Sequence, residues 1–97
     1  MVVPKYHAVK MHELPDEHLA DVLPVAKKIA LALGAEDGVQ YNILQNNGRL
    51  AHQEVEHVHF HVIPKPNEAE GLGIGWPSQR MEKEEIERVW EDLKGKL

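Results

Sequence analysis

The sequence has no cysteine among its 97 residues, and this absence removes several kinds of chemistry. Disulfide bonds, zinc sites with cysteine ligands and thiol nucleophiles are all excluded. Because a chain without disulfides is compatible with a reducing compartment, we expect a cytoplasmic or nuclear protein.

The chain also lacks an excess of positive charge and any long apolar run. Its 11 Lys and Arg residues are outnumbered by 16 Asp and Glu residues, which gives a net charge of -5. Such a charge argues against a broad electrostatic contact with nucleic acid or anionic lipid. No apolar run approaches the roughly 20 residues of a membrane-spanning helix, and the first residues, MVVPKYH, are not a signal peptide. We therefore expect no nucleic-acid partner and no membrane partner.

Hydrophobic periodicity predicts two helices and three short strands. Apolar residues at helical spacing predict one long helix from Leu14 to Leu33, with Gly34 as its C-terminal stop. Pro24 lies inside this helix, where it is expected to remove one backbone hydrogen bond and bend the axis at a cost of ~3 kcal/mol. The other predicted elements are a strand at 2–3, a strand at 38–44, a polar loop at 46–53, a strand through 57–63 that ends at Pro64, a loop at 67–80 and a helix from Glu82.

Two apolar features near the C-terminus are expected to be packed. Ile74 and Trp76 suggest that the Gly- and Pro-rich loop lies against another surface. The last helix has one apolar stripe, and ordinary core packing is expected for it. Its members are Ile86, Val89, Trp90 and Leu93.

Three of the seven histidines, His57, His59 and His61, alternate with apolar residues in the stretch HVHFHVIPKP. Successive side chains of a strand point to opposite faces, so the three histidines share one face. The apolar residues between them share the other face and are expected to enter the core. The histidine face is then directed towards solvent or a cleft.

Three uses of this row remain open from the residues alone. His57 and His59, about 7 Å apart along a strand, could chelate a metal ion, whereas His57 and His61, about 13 Å apart, cannot share one. The histidines could instead be ordinary half-exposed surface residues. The third possibility is a row that serves one reaction, since a neutral imidazole near pH 7 is a good nucleophile towards phosphorus.

The stretch HVHFHVI resembles the alternating signature of the histidine triad family of nucleotide hydrolases and transferases. PKYH at 4–7, LQNNGRLAHQEVEHVHFHVIPKP at 44–66 and GIGWP at 73–77 are similar to the family's Hint branch, whose members are nucleoside phosphoramidases. The resemblance implies an α+β fold with an antiparallel sheet, a long helix and a C-terminal helix. It also implies hydrolysis of purine nucleoside phosphoramidates, with a catalytically weak nucleotide-binding or protein-interaction module as the alternative.

The resemblance implies roles for particular residues. His59 Nε2 would attack the α-phosphorus while the carbonyl of His57 accepts a hydrogen bond from His59 Nδ1–H. His61 would contact the phosphate, and His7 would complete the set of histidines. The residues implied on the nucleotide and phosphate side are Asn46, Gly48, Gln53 and Glu54. Neither a metal ion nor another cofactor is implied.

The sequence also departs from the family's pattern. Glu54 stands where animal relatives have Ser or Thr, and an ionised carboxylate cannot donate a hydrogen bond to a leaving group. Nothing here matches the N-terminal segment that precedes the VVPK strand in the family, so we expect residues 1–97 to form one domain equivalent to the C-terminal two thirds of the fold, with impaired activity. The long helix and the strand at 38–44 match the family's dimer surface, which implies a homodimer.

Overall fold

The computed structural model describes all 97 residues as a two-stranded antiparallel sheet with helices on either side of it in the sequence. The helices are α1 (Asp16–Leu19), α2 (Val22–Ala32) and α3 (Lys83–Lys94), and the strands are β1 (Gln40–Leu44) and β2 (His61–Lys65). Single 3-10 turns lie at Met11–Glu13, Ala35–Asp37 and Arg49–Ala51. The α+β class predicted from the sequence is confirmed.

The predicted long helix is divided into α1 and α2 one turn before Pro24. Ala20 and Asp21 stand between the two helices, yet both keep right-handed helical dihedral angles. Proline has no N–H to donate to the carbonyl four residues back, which here is that of Ala20. Pro24 itself is the third residue of α2, in the first turn, where backbone N–H groups lack helical partners in any case. The prediction of one helix with an interior proline was therefore wrong.

The sheet is shifted along the chain relative to the sequence prediction. β2 begins at His61 and runs to Lys65, instead of occupying 57–63, and it pairs with β1 in antiparallel register. Pro64, predicted to end the strand, lies within it opposite Tyr41. β2 is an edge strand of this two-stranded sheet, which is the setting in which proline is accommodated.

The hydrophobic core joins the N-terminal segment, the helices and the histidine stretch. Val58 is completely buried and Phe60 is 6 % exposed, as the predicted apolar face requires. They pack with three further buried residues, Ala8, Leu14 and Val22. Burial of Val58 and Phe60 therefore determines that the histidines alternating with them point away from this core.

The C-terminal third does not pack as predicted. Trp76 is 72 % exposed, and α3 has no buried residue, with Trp90 51 % exposed. The radius of gyration is 16.6 Å, whereas a compact domain of about 100 residues has a value of about 13 Å. The apolar stripe predicted the helix correctly and its packing wrongly, because periodicity identifies an apolar face and not the surface that covers it. None of the helices, of which α3 is the longest at 12 residues, has the length and apolar character to cross a membrane.

Two glycines bracket the 3-10 turn between α2 and β1. Both are left-handed, with φ of 101° at Gly34 and 90° at Gly38. A Cβ atom on Gly34 would lie 3.0 Å from Cγ2 of Val39, whereas a Cβ atom on Gly38 would meet nothing within 4 Å. Both positions therefore require an unusual backbone conformation, and only Gly34 also requires the space.

Gly34→Ala is expected to lower the free energy of unfolding more than Gly38→Ala does. The left-handed conformation costs a residue with a Cβ atom roughly 1–2 kcal/mol, and this cost is common to both variants. The contact with Val39 adds a steric penalty to Gly34→Ala alone. Urea unfolding followed by circular dichroism measures both values, and equal losses would contradict the steric account.

Candidate active site

The segment that carries the first two histidines is bonded to the N-terminal segment and not to β1. The Val58 N–H donates to the carbonyl of Ala8 at 2.8 Å, and Phe60 exchanges hydrogen bonds with Val2 at 2.7 and 2.9 Å. The residues that alternate with Val58 and Phe60 point to the opposite side of the extended chain. This pairing brings residues 4–7 against the first histidine of the row.

His59 has a defined tautomer. Its Nδ1 lies 2.7 Å from the carbonyl oxygen of His57, and a carbonyl can only accept. Nδ1 therefore carries the hydrogen, and in the neutral ring Nε2 has a free lone pair. The hydrogen bond implied by the sequence resemblance is thus present, and the half-buried ring of His59 has one nitrogen available for chemistry.

His57 uses both ring nitrogens within the chain. Its Nε2 lies 2.8 Å from the carbonyl oxygen of Pro4, so this nitrogen donates. Its Nδ1 lies 3.0 Å from Nδ1 of His7, and in the neutral ring this second nitrogen must accept. His7 then donates from Nδ1 and presents its own Nε2 outwards. The predicted association of His7 with the histidine row is made through His57, with ring centroids 5.0 Å apart.

His61 begins β2, and its ring lies against the ring of His59. The two ring centroids are 4.9 Å apart with an interplanar angle of 80°, an edge-to-face arrangement. His61 is half-buried, like His57 and His59. The rings therefore form two contacting pairs, His7 with His57 and His59 with His61, and the hydrogen bond from His59 Nδ1 to the His57 carbonyl joins the pairs.

The metal chelate considered for His57 and His59 is not formed by this geometry. A histidine ligand needs an unprotonated nitrogen with a free lone pair. Both nitrogens of His57 are engaged, one with Pro4 and the other with His7. His59 alone retains a free nitrogen, so the pair cannot act as a bidentate metal site without breaking these contacts.

Asn46 and Gly48 lie in the loop that follows β1. The Asn46 carbonyl accepts from Gln45 Nε2 at 3.2 Å, while its half-buried side-chain amide is not used within the loop. Gly48 has φ of 92°, as predicted for a glycine turn. Its N–H donates to Gln53 Oε1 at 2.7 Å, so this N–H is not free to bind a phosphate.

Gln53 is placed differently from the phosphate-side residue that the sequence resemblance implies. It is buried, at 8 % exposure, and therefore is not a surface polar residue. Its Nε2 donates to the carbonyls of Val9 at 2.6 Å and Val55 at 3.0 Å, and its Oε1 accepts from Gly48. Both amide hydrogens are therefore in use, and the side chain has no donor left for a phosphate. Gln53 joins backbone segments in this structure, in place of the phosphate contact that the resemblance implies.

Glu54 lies in an open cleft next to the histidine row. The cleft has a volume of about 670 Å³, and its lining carries charges of both signs, from Lys10, Arg49, Glu54 and Glu56. None of the four histidines assigned to the site lines it. His12, His18 and His52, the three histidines outside the motifs, are exposed, and His52 lies in the left-handed region with φ of 66°.

Two backbone carbonyls complete the site and could not be found from sequence patterns. The Pro4 carbonyl orients His57, and the Val9 carbonyl binds Gln53. Every residue has a carbonyl, so no residue type marks these two. The available signal was the motif PKYH itself, which placed His7 in the site without showing that Pro4 takes part.

Comparison with known proteins finds the same motifs in a described family. The family model of the HIT domain matches residues 1–68. The chain is 58 % identical over 97 residues to adenosine 5'-monophosphoramidase of Schizosaccharomyces pombe, and the match covers 100 % of this chain and 71 % of that protein. It is 47 % identical over 102 residues to adenosine 5'-monophosphoramidase of Candida albicans, covering 100 % of this chain and 67 % of the relative.

Solved structures share the fold as well. A histidine triad nucleotide-binding protein from Candida albicans matches with a TM-score of 0.90 at 47 % identity, over 97 % of this chain and 69 % of that chain. A HIT family protein from Bacillus anthracis matches with a TM-score of 0.87 at 33 % identity, over 98 % of this chain and 70 % of that chain. The residues that the HIT domain family model matches include His7 and the whole histidine row. The chain therefore belongs to the histidine triad (HIT) family.

Proposed function

We propose that this protein hydrolyses purine nucleoside phosphoramidates of the adenosine 5'-monophosphoramidate kind. The observation that carries this proposal is the 2.7 Å hydrogen bond between His59 Nδ1 and the carbonyl of His57. It leaves the Nε2 lone pair of His59 free, and a neutral imidazole is a competent nucleophile. The fungal relatives at 58 % and 47 % identity are adenosine 5'-monophosphoramidases, which supports the same reaction here.

The reaction takes two steps through a nucleotidyl-histidine. In the first step His59 Nε2 forms a bond to the α-phosphorus, the phosphorus–nitrogen bond of the substrate breaks, and the amine leaves after gaining a proton from solvent. In the second step water attacks the phosphorus and gives a proton to solvent, while the bond between phosphorus and Nε2 breaks. The products are the amine and a nucleoside monophosphate, and His59 returns to its neutral form.

The carbonyl of His57 assists when charge develops on the ring of His59. The ring becomes cationic as Nε2 bonds to phosphorus, because Nδ1 keeps its hydrogen. A hydrogen bond from a charged donor is roughly twice as strong as one between neutral groups. The contact is therefore stronger in the transition state than in the free enzyme, which is the condition for lowering a barrier.

The remaining site residues have unequal roles in this proposal. His61 and Asn46 contact the phosphate, because His61 lies against the ring of His59 and Asn46 has an unused amide. The pair formed by His7 and His57 holds the carbonyl that orients the nucleophile. Glu54 lies at the leaving-group side. Its backbone N–H can donate a hydrogen bond to the leaving group there, whereas its ionised carboxylate cannot.

His59→Ala is expected to reduce kcat for adenosine 5'-monophosphoramidate by about 10³-fold or more, since loss of a nucleophile removes the covalent route. Binding of AMP, measured by calorimetry, should change by much less. His12→Ala is the matched control, because His12 is exposed and lies outside the row. Substantial turnover by His59→Ala would contradict the proposal, and AMP binding without turnover by the unsubstituted chain would favour a binding module.

Turnover is expected to be unchanged by a chelator. The proposed nucleophile is an imidazole nitrogen, and the neighbouring His57 has no nitrogen free to bind a metal ion. The measurement is kcat/KM in metal-free buffer with and without EDTA. A loss of activity that added zinc restores would overturn the metal-independent mechanism.

We also propose that the protein is a homodimer built on α2 and β1. Large apolar side chains on these elements are 41 % to 61 % exposed, and such residues mark protein–protein surfaces. They are Leu23, Val25, Leu31, Tyr41 and Ile43. The same elements match the dimer surface that the sequence resemblance implies.

Ile43→Asp is expected to convert the dimer to a monomer in sedimentation equilibrium, because a charge in an apolar interface loses its hydration. Leu50→Asp is the control, since Leu50 is fully exposed on the 3-10 turn at Arg49–Ala51. A dimer that survives Ile43→Asp, or an unsubstituted chain that sediments as a monomer, would refute the proposed interface.

A further inference from the structure

We propose that Gln53 is a positioning residue for the imidazole pair His7 and His57. Its side chain is 8 % exposed and makes three hydrogen bonds, all with backbone groups. The expected effect of Gln53 on catalysis rests on the proposed hydrolysis. Its expected effect on the geometry of the two imidazoles does not depend on that proposal.

Two partners of this side chain, Gly48 and Val55, lie in its own loop, and the third, Val9, lies 44 residues earlier in the chain. Its Nε2 donates to the carbonyls of Val9 at 2.6 Å and Val55 at 3.0 Å, and its Oε1 accepts from the N–H of Gly48 at 2.7 Å. Val9 lies two residues after His7, and Val55 lies two residues before His57. One side chain therefore ties together the two segments that carry the imidazoles.

A backbone hydrogen bond ties the same two segments one residue closer to His7. The Val58 N–H donates to the carbonyl of Ala8 at 2.8 Å. The segments are thus tied at Ala8 and Val9, the two residues that follow His7, next to the point where Nδ1 of His7 meets Nδ1 of His57 at 3.0 Å. Loss of the Gln53 tie would let the segments separate there, and the ring–ring contact would lengthen.

Glutamine is the residue type that fits these partners. Two carbonyls require donors and one N–H requires an acceptor, which is the inventory of a primary amide. Glutamate has the same length and keeps the acceptor, but it cannot donate when ionised. Methionine has a similar size but has no N–H group to donate to the two carbonyls. Each replacement leaves buried backbone groups unpaired, and such groups are costly.

Gln53→Met should shift the tautomer of His7. In the unsubstituted protein, two-bond ¹H–¹⁵N spectra of the side-chain nitrogens should show His57 protonated at Nε2 and His7 protonated at Nδ1. In Gln53→Met, His7 should show a mixture of tautomers, because its only ring contact is with His57, whereas His57 should stay protonated at Nε2, because the Pro4 carbonyl still accepts from it. An unchanged tautomer of His7 in a folded Gln53→Met protein would overturn the proposal whether or not the protein hydrolyses phosphoramidates.

The kinetic test uses a double-mutant cycle with His7→Ala. Gln53→Met should lower kcat/KM for adenosine 5'-monophosphoramidate by about 10- to 100-fold, because a displacement of about 1 Å near reacting groups costs about 10²-fold. In the His7→Ala background the same change should cost less than about threefold, since residues that act through one contact are not additive. Additive losses would show that Gln53 acts only through general stability and would refute the positioning role.

Two controls keep the outcome interpretable. Ala30→Gly destabilises the chain at a buried position of α2 outside the core cluster, and its activity per folded molecule should equal that of the unsubstituted protein. If Gln53→Met does not fold, hydrogen exchange of the Gln53 side-chain amide in the unsubstituted protein decides the matter. Both amide protons should be strongly protected, and rapid exchange would contradict the proposal.

Discussion

The pairing of the N-terminal segment with residues 57–60 is the constraint on which the site depends. The bond from Val58 N–H to the Ala8 carbonyl and the mutual bonds of Val2 and Phe60 set two extended segments side by side. This alignment supplies His57 with both of its ring partners. Without it the carbonyl that orients His59 would belong to an unanchored segment.

Hydrophobic burial holds this alignment, and the polar contacts refine it. Burying a side chain such as those of Val58 and Phe60 contributes roughly 1.5–3 kcal/mol each, whereas a typical intramolecular hydrogen bond contributes a net stabilisation of about 0.5–1.5 kcal/mol. Each buried core side chain therefore stabilises the alignment more than each hydrogen bond does. The hydrogen bonds instead determine which nitrogen of each imidazole carries a hydrogen, and the chemistry depends on that choice.

Much of the site followed from the sequence because an extended chain alternates its faces. The burial of Val58 and Phe60 was expected from this alternation, whereas the bond between His57 and His59 was implied by the family resemblance. The predictions failed where a local pattern depends on remote partners. Gln53 gave no sign of burial, since all its partners are backbone groups and one of them, the Val9 carbonyl, lies 44 residues away in the chain. The stripe on α3 gave no information about what covers it, because amphipathic periodicity identifies a face and not its neighbour.

The sequence by itself determined the chemical inventory: no thiol, a row of alternating histidines, and the helix and strand periodicities that flank it. Membership of the histidine triad family was already evident in the motif. Only the tertiary structure decided the tautomers of His7 and His57 and the use of Gln53. A tautomer depends on which atom lies opposite each ring nitrogen, and for His57 that atom comes from Pro4 or His7, about fifty residues away in the chain.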